Sequence, residues 1–97
     1  MAERIKIGVI FGGKSGEHEV SLMSARSILS VLSPQKFEVT QIGITHSGHW
    51  LTGANVIDVL DTPQEASLTG AAILPDSALP SLYALTEIAG GLMMQEL

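Results

Sequence analysis

The chain has 97 residues, enough for one domain with a thin core, and 45% of them are hydrophobic, an ordinary share for a globular fold. A formal net charge of −5, with only five Lys and Arg and no basic run, argues against nucleic acid or an anionic membrane as partner, because phosphate binding rests on Lys and Arg. With no cysteine there is neither a disulfide framework nor thiolate chemistry. No segment approaches the roughly 20 apolar residues of a membrane span, so a cytoplasmic location is the expectation.

In chain order, Ile5 to Phe11 is a short β-branched run that ends at Gly12-Gly13 and reads as a buried strand. Its near-continuous apolarity after Lys6 predicts a parallel sheet covered on both faces. Gly12 to Ser15 reads as a tight turn. Glu19 to Leu32 reads as a helix, with Leu22, Ala25, Ile28, Leu29 and Leu32 on one apolar face, acidic residues at its start and Ser33-Pro34 as its stop.

Phe37 to Thr45 is the second strand, which completes a βαβ unit. Ser47-Gly48 marks a turn, His49-Trp50-Leu51 a short returning strand, and Ala54 to Leu60 a brief helix ahead of Pro63. Beyond Thr62 the pattern weakens: loops around Gly70, Pro75 and Pro80, a short helix near Ser81 to Ile88, and a tail from Gly90 with no third core strand. Two parallel strands with one good helix leave apolar surface open, so the chain reads as an incomplete α/β fold.

The chemistry concentrates in Phe11-Gly12-Gly13-Lys14-Ser15-Gly16-Glu17-His18-Glu19-Val20-Ser21-Leu22, at the carboxyl end of the first strand, where open α/β sheets bind ligands. Gly8 to Ser15 also fits the written pattern of a P-loop. However, Val9, Ile10 and Phe11 continue the strand, the remaining loop is too short for two phosphates, and Glu17 and Glu19 would repel them. The dinucleotide fingerprint fails as well, because Gly12-x-Lys14 lacks the second glycine.

Gly-Gly-x-Ser-x-Glu-x-Glu-Val-Ser-Leu, directly after a first strand, resembles the start of the D-alanine–D-alanine ligases, members of the ATP-grasp superfamily. The resemblance is specific over about a dozen positions and looser as far as Trp50. It implies a Rossmann-like, pre-ATP-grasp parallel sheet with flanking helices, here incomplete, with residues 1–97 as a partial substrate-binding domain. The implied activity is ATP-dependent joining of two D-alanines, through an acyl phosphate, for peptidoglycan and hence cell shape. ATP and magnesium would act in the full-length enzyme, with neither bound by this chain alone. D-alanine is the implied substrate, and a homodimer through this domain the implied assembly.

Carried over by position, Glu17 would meet the ammonium group of the first D-alanine as the catalytic-site residue. Val20 would wall the methyl pocket, Ser21 would start the helix or hold the loop, and Gly12 and Gly13 would let the backbone approach substrate. Read without the resemblance, Glu17 is a helix N-terminal charge, Glu19 is structural and Val20 is a core residue. Lys14, His46 and His49 are solvated, Trp50 is a packing anchor and Met93-Met94 is core or interface. His18 with two glutamates on a turn makes a poor metal site, so none is expected.

The family's His-Gly element and its ATP-grasp domain have no counterpart in the 97 residues, so no catalysis is expected from this chain alone. Two rival readings are a stand-alone dimerising or docking module and the P-loop nucleotide binder.

Overall fold

The computed structural model describes residues 4–73, 82–88 and 91–96. The first strand, β1, spans Ile5–Gly12, and the first helix, α1, spans His18–Val31. Strand β2 covers Phe37–Ile44 and lies parallel to β1 in register from Ile5↔Phe37 to Gly12↔Ile44. Strand, helix and parallel strand thus form the βαβ unit that the periodicity predicts.

A tight connection reverses the chain after β2. The Thr45 N–H donates to the His49 carbonyl at 2.9 Å, and the Gly48 N–H donates to the Thr45 carbonyl at 2.9 Å. Gly48 takes φ +90, a conformation that glycine adopts without a side-chain penalty. Strand β3, Trp50–Thr52, therefore returns antiparallel to β2, pairing Ile44 with Trp50.

A short helix, α2, follows at Val56–Val59, entered through Asn55 in the left-handed region. It docks where β2 has no side chain: a Cβ on Gly43 would lie 2.7 Å from Val56 Cγ1. The Ile57 N–H, one of the helix's free first-turn donors, is taken by Gln41 Oε1 at 2.8 Å.

Beyond Thr62 the structure departs from the expected loops and helix. A 3-10 helix at Pro63–Ser67 leads into strand β4, Thr69–Ile73. The segment expected to be a helix near Ser81 to Ile88 is strand β5, Leu82–Ile88, and the tail expected to lack a strand forms β6, Gly91–Glu96. The expected loops around Pro75 and Pro80, and the start of that helix at Ser81, lie outside the described residues.

One sheet has the order β1-β2-β3-β4-β5-β6, parallel only between β1 and β2 and antiparallel at every other step. The physical reason lies in the pairing register. Ile88 opposes Gly91, so β5 and β6, neighbours in the chain, pair antiparallel along their length. A short run of Leu, Ala and Thr satisfies a strand as readily as a helix when a partner edge is present.

The α/β core sits between the sheet and its helices. Phe11, Ala25, Val56 and Leu60 are buried together, with Val9, Leu22, Leu51, Ile57 and Leu68 packed around them. Ala25, Leu22, Leu29 and Leu32 lie on the buried or half-buried side of α1, as the spacing predicts, whereas Ile28 at the margin of that face is 49% exposed. Arg26 bridges the two helices, donating to Asp58 Oδ1 at 2.9 Å and to the Ile57 carbonyl at 3.1 Å. As a largely exposed pair it contributes well under ~1 kcal/mol.

The expectation of cover on both faces of β1 is met on one: α1 and α2 share the Phe11 face, while Ile10, on the other, remains 47% exposed.

Gly12 shows the tightest backbone contact at the β1 exit. It has φ +93, and a Cβ there would lie 2.2 Å from the Ile44 carbonyl oxygen. We expect Gly12→Ala to destabilise the fold by at least ~2 kcal/mol, combining backbone strain with a clash against backbone that cannot yield. Urea denaturation checks this, and a midpoint equal to that of the parent would refute the close approach.

Candidate functional site

The motif residues converge on the gap between β1 and α1. Gly12 ends the strand, and its N–H donates to Ser21 Oγ at 2.9 Å, which ties the first turns of α1 back to the strand exit. The Gly13 N–H donates to the Ile44 carbonyl at 2.9 Å. The Gly12 and Gly13 amides are therefore committed within the protein and are not offered to a phosphate.

Gly8, the glycine that would open a P-loop, lies within β1. The turn does not fit a nucleotide's phosphates, and the acidic Glu17 and Glu19 beside it add repulsion.

Glu17 stands at the N-cap of α1 but does not cap it with its side chain. Its own N–H donates to Ser15 Oγ at 3.2 Å, and its carbonyl accepts from the Ser21 N–H at 2.9 Å. The backbone is thus pinned while the carboxylate projects, exposed, at the carboxyl end of the sheet. Among the described residues no basic side chain pairs with it. Val20, one helical turn on and 54% exposed, lies on the side of α1 away from the core, adjacent to Glu17. Gly13, at φ +114, has open space where a Cβ would stand.

The structure thus gathers Gly12, Gly13, Glu17, Val20 and Ser21 at one end of the sheet. Gly12 and Ser21 hold the turn together, and Glu17 and Val20 face outward. A groove of about 710 Å³ lies elsewhere, lined by Thr45, His49, Trp50, Leu51, Glu65 and Ile73 among others, and contains none of the motif residues. Lys14 is exposed, as expected, and its aliphatic stem runs beside Gly48. Trp50 is half-buried along that groove. Met93 and Met94 lie in β6, and their packing falls outside the described residues.

Sequence reasoning missed the most buried polar group of the site. His18 is 1% exposed. Its Nδ1 lies 2.7 Å from the Gly13 carbonyl oxygen and its Nε2 lies 2.7 Å from Asp61 Oδ2. A carbonyl oxygen can only accept, so Nδ1 carries a proton and donates it. Nε2 then meets a carboxylate oxygen, and the contact is favourable when a second proton lies between them.

Asp61 reaches this position with φ +65, its N–H held by Glu65 Oε1 at 3.0 Å. The His46 ring stacks on His18 at 3.7 Å between centroids, with 21° between planes, covering the imidazole from solvent. His46 is exposed, as expected, but it is not idle. The only local signal for this arrangement was an odd histidine between two glutamates. Its partners sit far along the chain.

Burial on its own lowers the pKa of His18. The hydrogen bonds with the Gly13 carbonyl and Asp61, together with the charges of Asp61 and Glu19, outweigh it and raise the pKa above the ordinary 6.5. A raised folded-state pKa contributes stability that is fully present below 6.5 and is lost as pH climbs through the folded value. We therefore expect the thermal midpoint in metal-free buffer to fall as pH rises above 6.5, and Asp61→Asn to flatten that fall. Asparagine tolerates the left-handed backbone at this position. Parallel pH profiles for parent and variant would dismiss the His18–Asp61 linkage.

Comparison with known proteins matches this geometry to one family. Residues 6–85 match the family model described as the D-ala D-ala ligase N-terminus. A D-alanine–D-alanine ligase from Natranaerobius thermophilus is 43% identical over 84 residues, covering 86% of this chain and 23% of that protein. The crystal structure of the VanG D-Ala:D-Ser ligase from Enterococcus faecalis superposes with a TM-score of 0.72 at 29% identity, over 84% of this chain and 25% of that one. The D-alanine–D-alanine ligase from Coxiella burnetii superposes with a TM-score of 0.64 at 32% identity, over 79% of this chain and 24% of that one. The chain thus spans about a quarter of the length of the relatives it matches. With 80 of its 97 residues inside the family model, the Glu17-bearing turn among them, this chain belongs to the D-alanine–D-alanine ligase N-terminal family.

Proposed function

We propose that this chain forms the D-alanine-binding N-terminal part of an ATP-dependent D-alanine–D-alanine ligase that works in the cytoplasm and supplies the dipeptide for peptidoglycan. The observation that carries the reading is the Glu17 carboxylate. It is exposed at the exit of β1, held by a pinned backbone and left without a basic partner among the described residues. A fixed anion in such a position accepts a charge-assisted hydrogen bond from a substrate ammonium group, worth about 1.5–3 kcal/mol. Val20, beside it, supplies an apolar wall of a size suited to a methyl group. Ser21 and Gly12 act through position, since the bond between them sets where Glu17 stands.

ATP and magnesium belong to the full-length enzyme in this reading. The turn after β1 does not fit them: its Gly12 and Gly13 amides are used internally, and the nearby side chains that could meet a cation include two imidazoles, whereas magnesium prefers an all-oxygen octahedron. No step of phosphoryl transfer is assigned to these residues. Pairing of two protomers through this domain is part of the same reading, supported by apolar side chains left exposed on the outer side of α1: Met23 and Val31.

In the full-length ligase, Glu17→Gln is expected to raise KM for D-alanine by roughly 10- to 100-fold, matching loss of one charge-assisted hydrogen bond. Steady-state kinetics with varied D-alanine measures this, and unchanged kinetics would remove Glu17 from the site. Residues 1–97 expressed alone should show no D-alanine-dependent release of ADP. Turnover above the background of a Glu17→Gln control would contradict that division of labour.

A further inference from the structure

The cluster around His18 has the composition and spacing of a transition-metal site. His18, Glu19, His46 and Asp61 each direct one ligand atom into a common space, and these four atoms lie within 4.8 Å of one another. They come from three separate connections: the first turn of α1, the turn between β2 and β3, and the turn after α2.

Three of the separations are short. His18 Nε2 lies 2.7 Å and His46 Nε2 lies 3.9 Å from Asp61 Oδ2, and His46 Nε2 lies 4.0 Å from Glu19 Oε1. A tetrahedral zinc ion with bonds near 2.0–2.1 Å needs ligand atoms about 3.3 Å apart. These three separations bracket that value; His46, stacked on His18, must turn so that its in-plane lone pair meets the ion, and its exposure leaves room for that turn.

A second observation concerns the outer shell. A metal-ligating histidine commonly donates its other ring N–H to a backbone carbonyl, which fixes the tautomer and aims the remaining lone pair at the metal. His18 does this already: its Nδ1–H is held by the Gly13 carbonyl at 2.7 Å, the ring is almost wholly buried, and Nε2 points at Asp61. The stacked His46 ring has its Nε2 3.9 Å from Asp61 Oδ2, the same carboxylate oxygen that His18 Nε2 meets at 2.7 Å. Two neutral imidazoles and two carboxylates present two negative charges, which one divalent cation neutralises. Nitrogen ligands favour zinc over magnesium or calcium.

We propose that His18, Glu19, His46 and Asp61 bind a zinc-class divalent cation, which occupies the space between His18 and Asp61 in place of the shared proton and staples the three connections together. Such an ion would brace the turn that carries Glu17, which lies next to His18 in the chain. The site is independent of the substrate reading, because Glu17 is not among its ligands.

The test uses protein freed of metal by chelation, without ATP or magnesium, titrated with cobalt(II) and then with zinc against a chromophoric chelator. The expected result is one zinc per chain and the intense visible absorption of tetrahedral cobalt. His46→Ala should weaken zinc binding by at least about tenfold, as expected for loss of an inner ligand, and Glu19→Gln should weaken it as well. His49→Ala, outside the cluster, should bind as the parent does. Both ligand side chains are exposed, so far-ultraviolet circular dichroism of these variants should match that of the parent. A weak octahedral cobalt spectrum, or a His46→Ala variant that binds zinc within twofold of the parent, would overturn the proposal.

Discussion

One buried imidazole governs the geometry of the carboxyl end of the sheet. His18 is bound on both ring nitrogens, to the Gly13 carbonyl within its own turn and to Asp61 after α2. A polar ring at 1% exposure is tolerable only when both its nitrogens are satisfied. The cost of leaving either unpaired falls on the whole β1 exit. The turn, the start of α1 and the end of α2 must therefore be correctly placed together, and the orientation of Glu17, one residue before His18, follows from that requirement.

The same short motif serves two ends at once. Gly12 is demanded by the Ile44 carbonyl of the neighbouring strand, and Ser21 by the Gly12 amide. Neither contact involves a ligand: Ser21 holds the loop, one of the two roles expected for it, and Gly12 is required by its neighbouring strand. Glu17 and Val20 have no such internal reason: both side chains face outward. Within a dozen residues, the inward-facing set builds the turn, and the outward-facing set stays exposed to solvent.

The half of the sheet beyond β3 follows a different logic from the βαβ unit. There each strand returns beside its predecessor, and the order of strands repeats the order of the chain. Short connections favour this arrangement, since antiparallel neighbours need only a turn, whereas parallel neighbours need a crossover. The parallel pair β1 and β2 is the part that carries the motif, and α1 and α2 pack over it on the Phe11 face.

What the residue order alone determined is the local grammar of the first sixty positions. β-branched runs became β1 and β2, the three- and four-residue spacing of Leu22, Ala25, Leu29 and Leu32 became the buried side of α1, and Ser47-Gly48 became the turn. The motif also placed Glu17 at the strand exit, because nearest-neighbour geometry fixes such a position. Tertiary structure alone decided the rest. Leu82–Ile88 became a strand because β4 and β6 supplied its hydrogen-bonding edges. His18 met Asp61 43 positions away because α2 folded back over Gly43. Periodicity reports only the face a residue presents, and the identity of what that face meets is set by packing between distant segments.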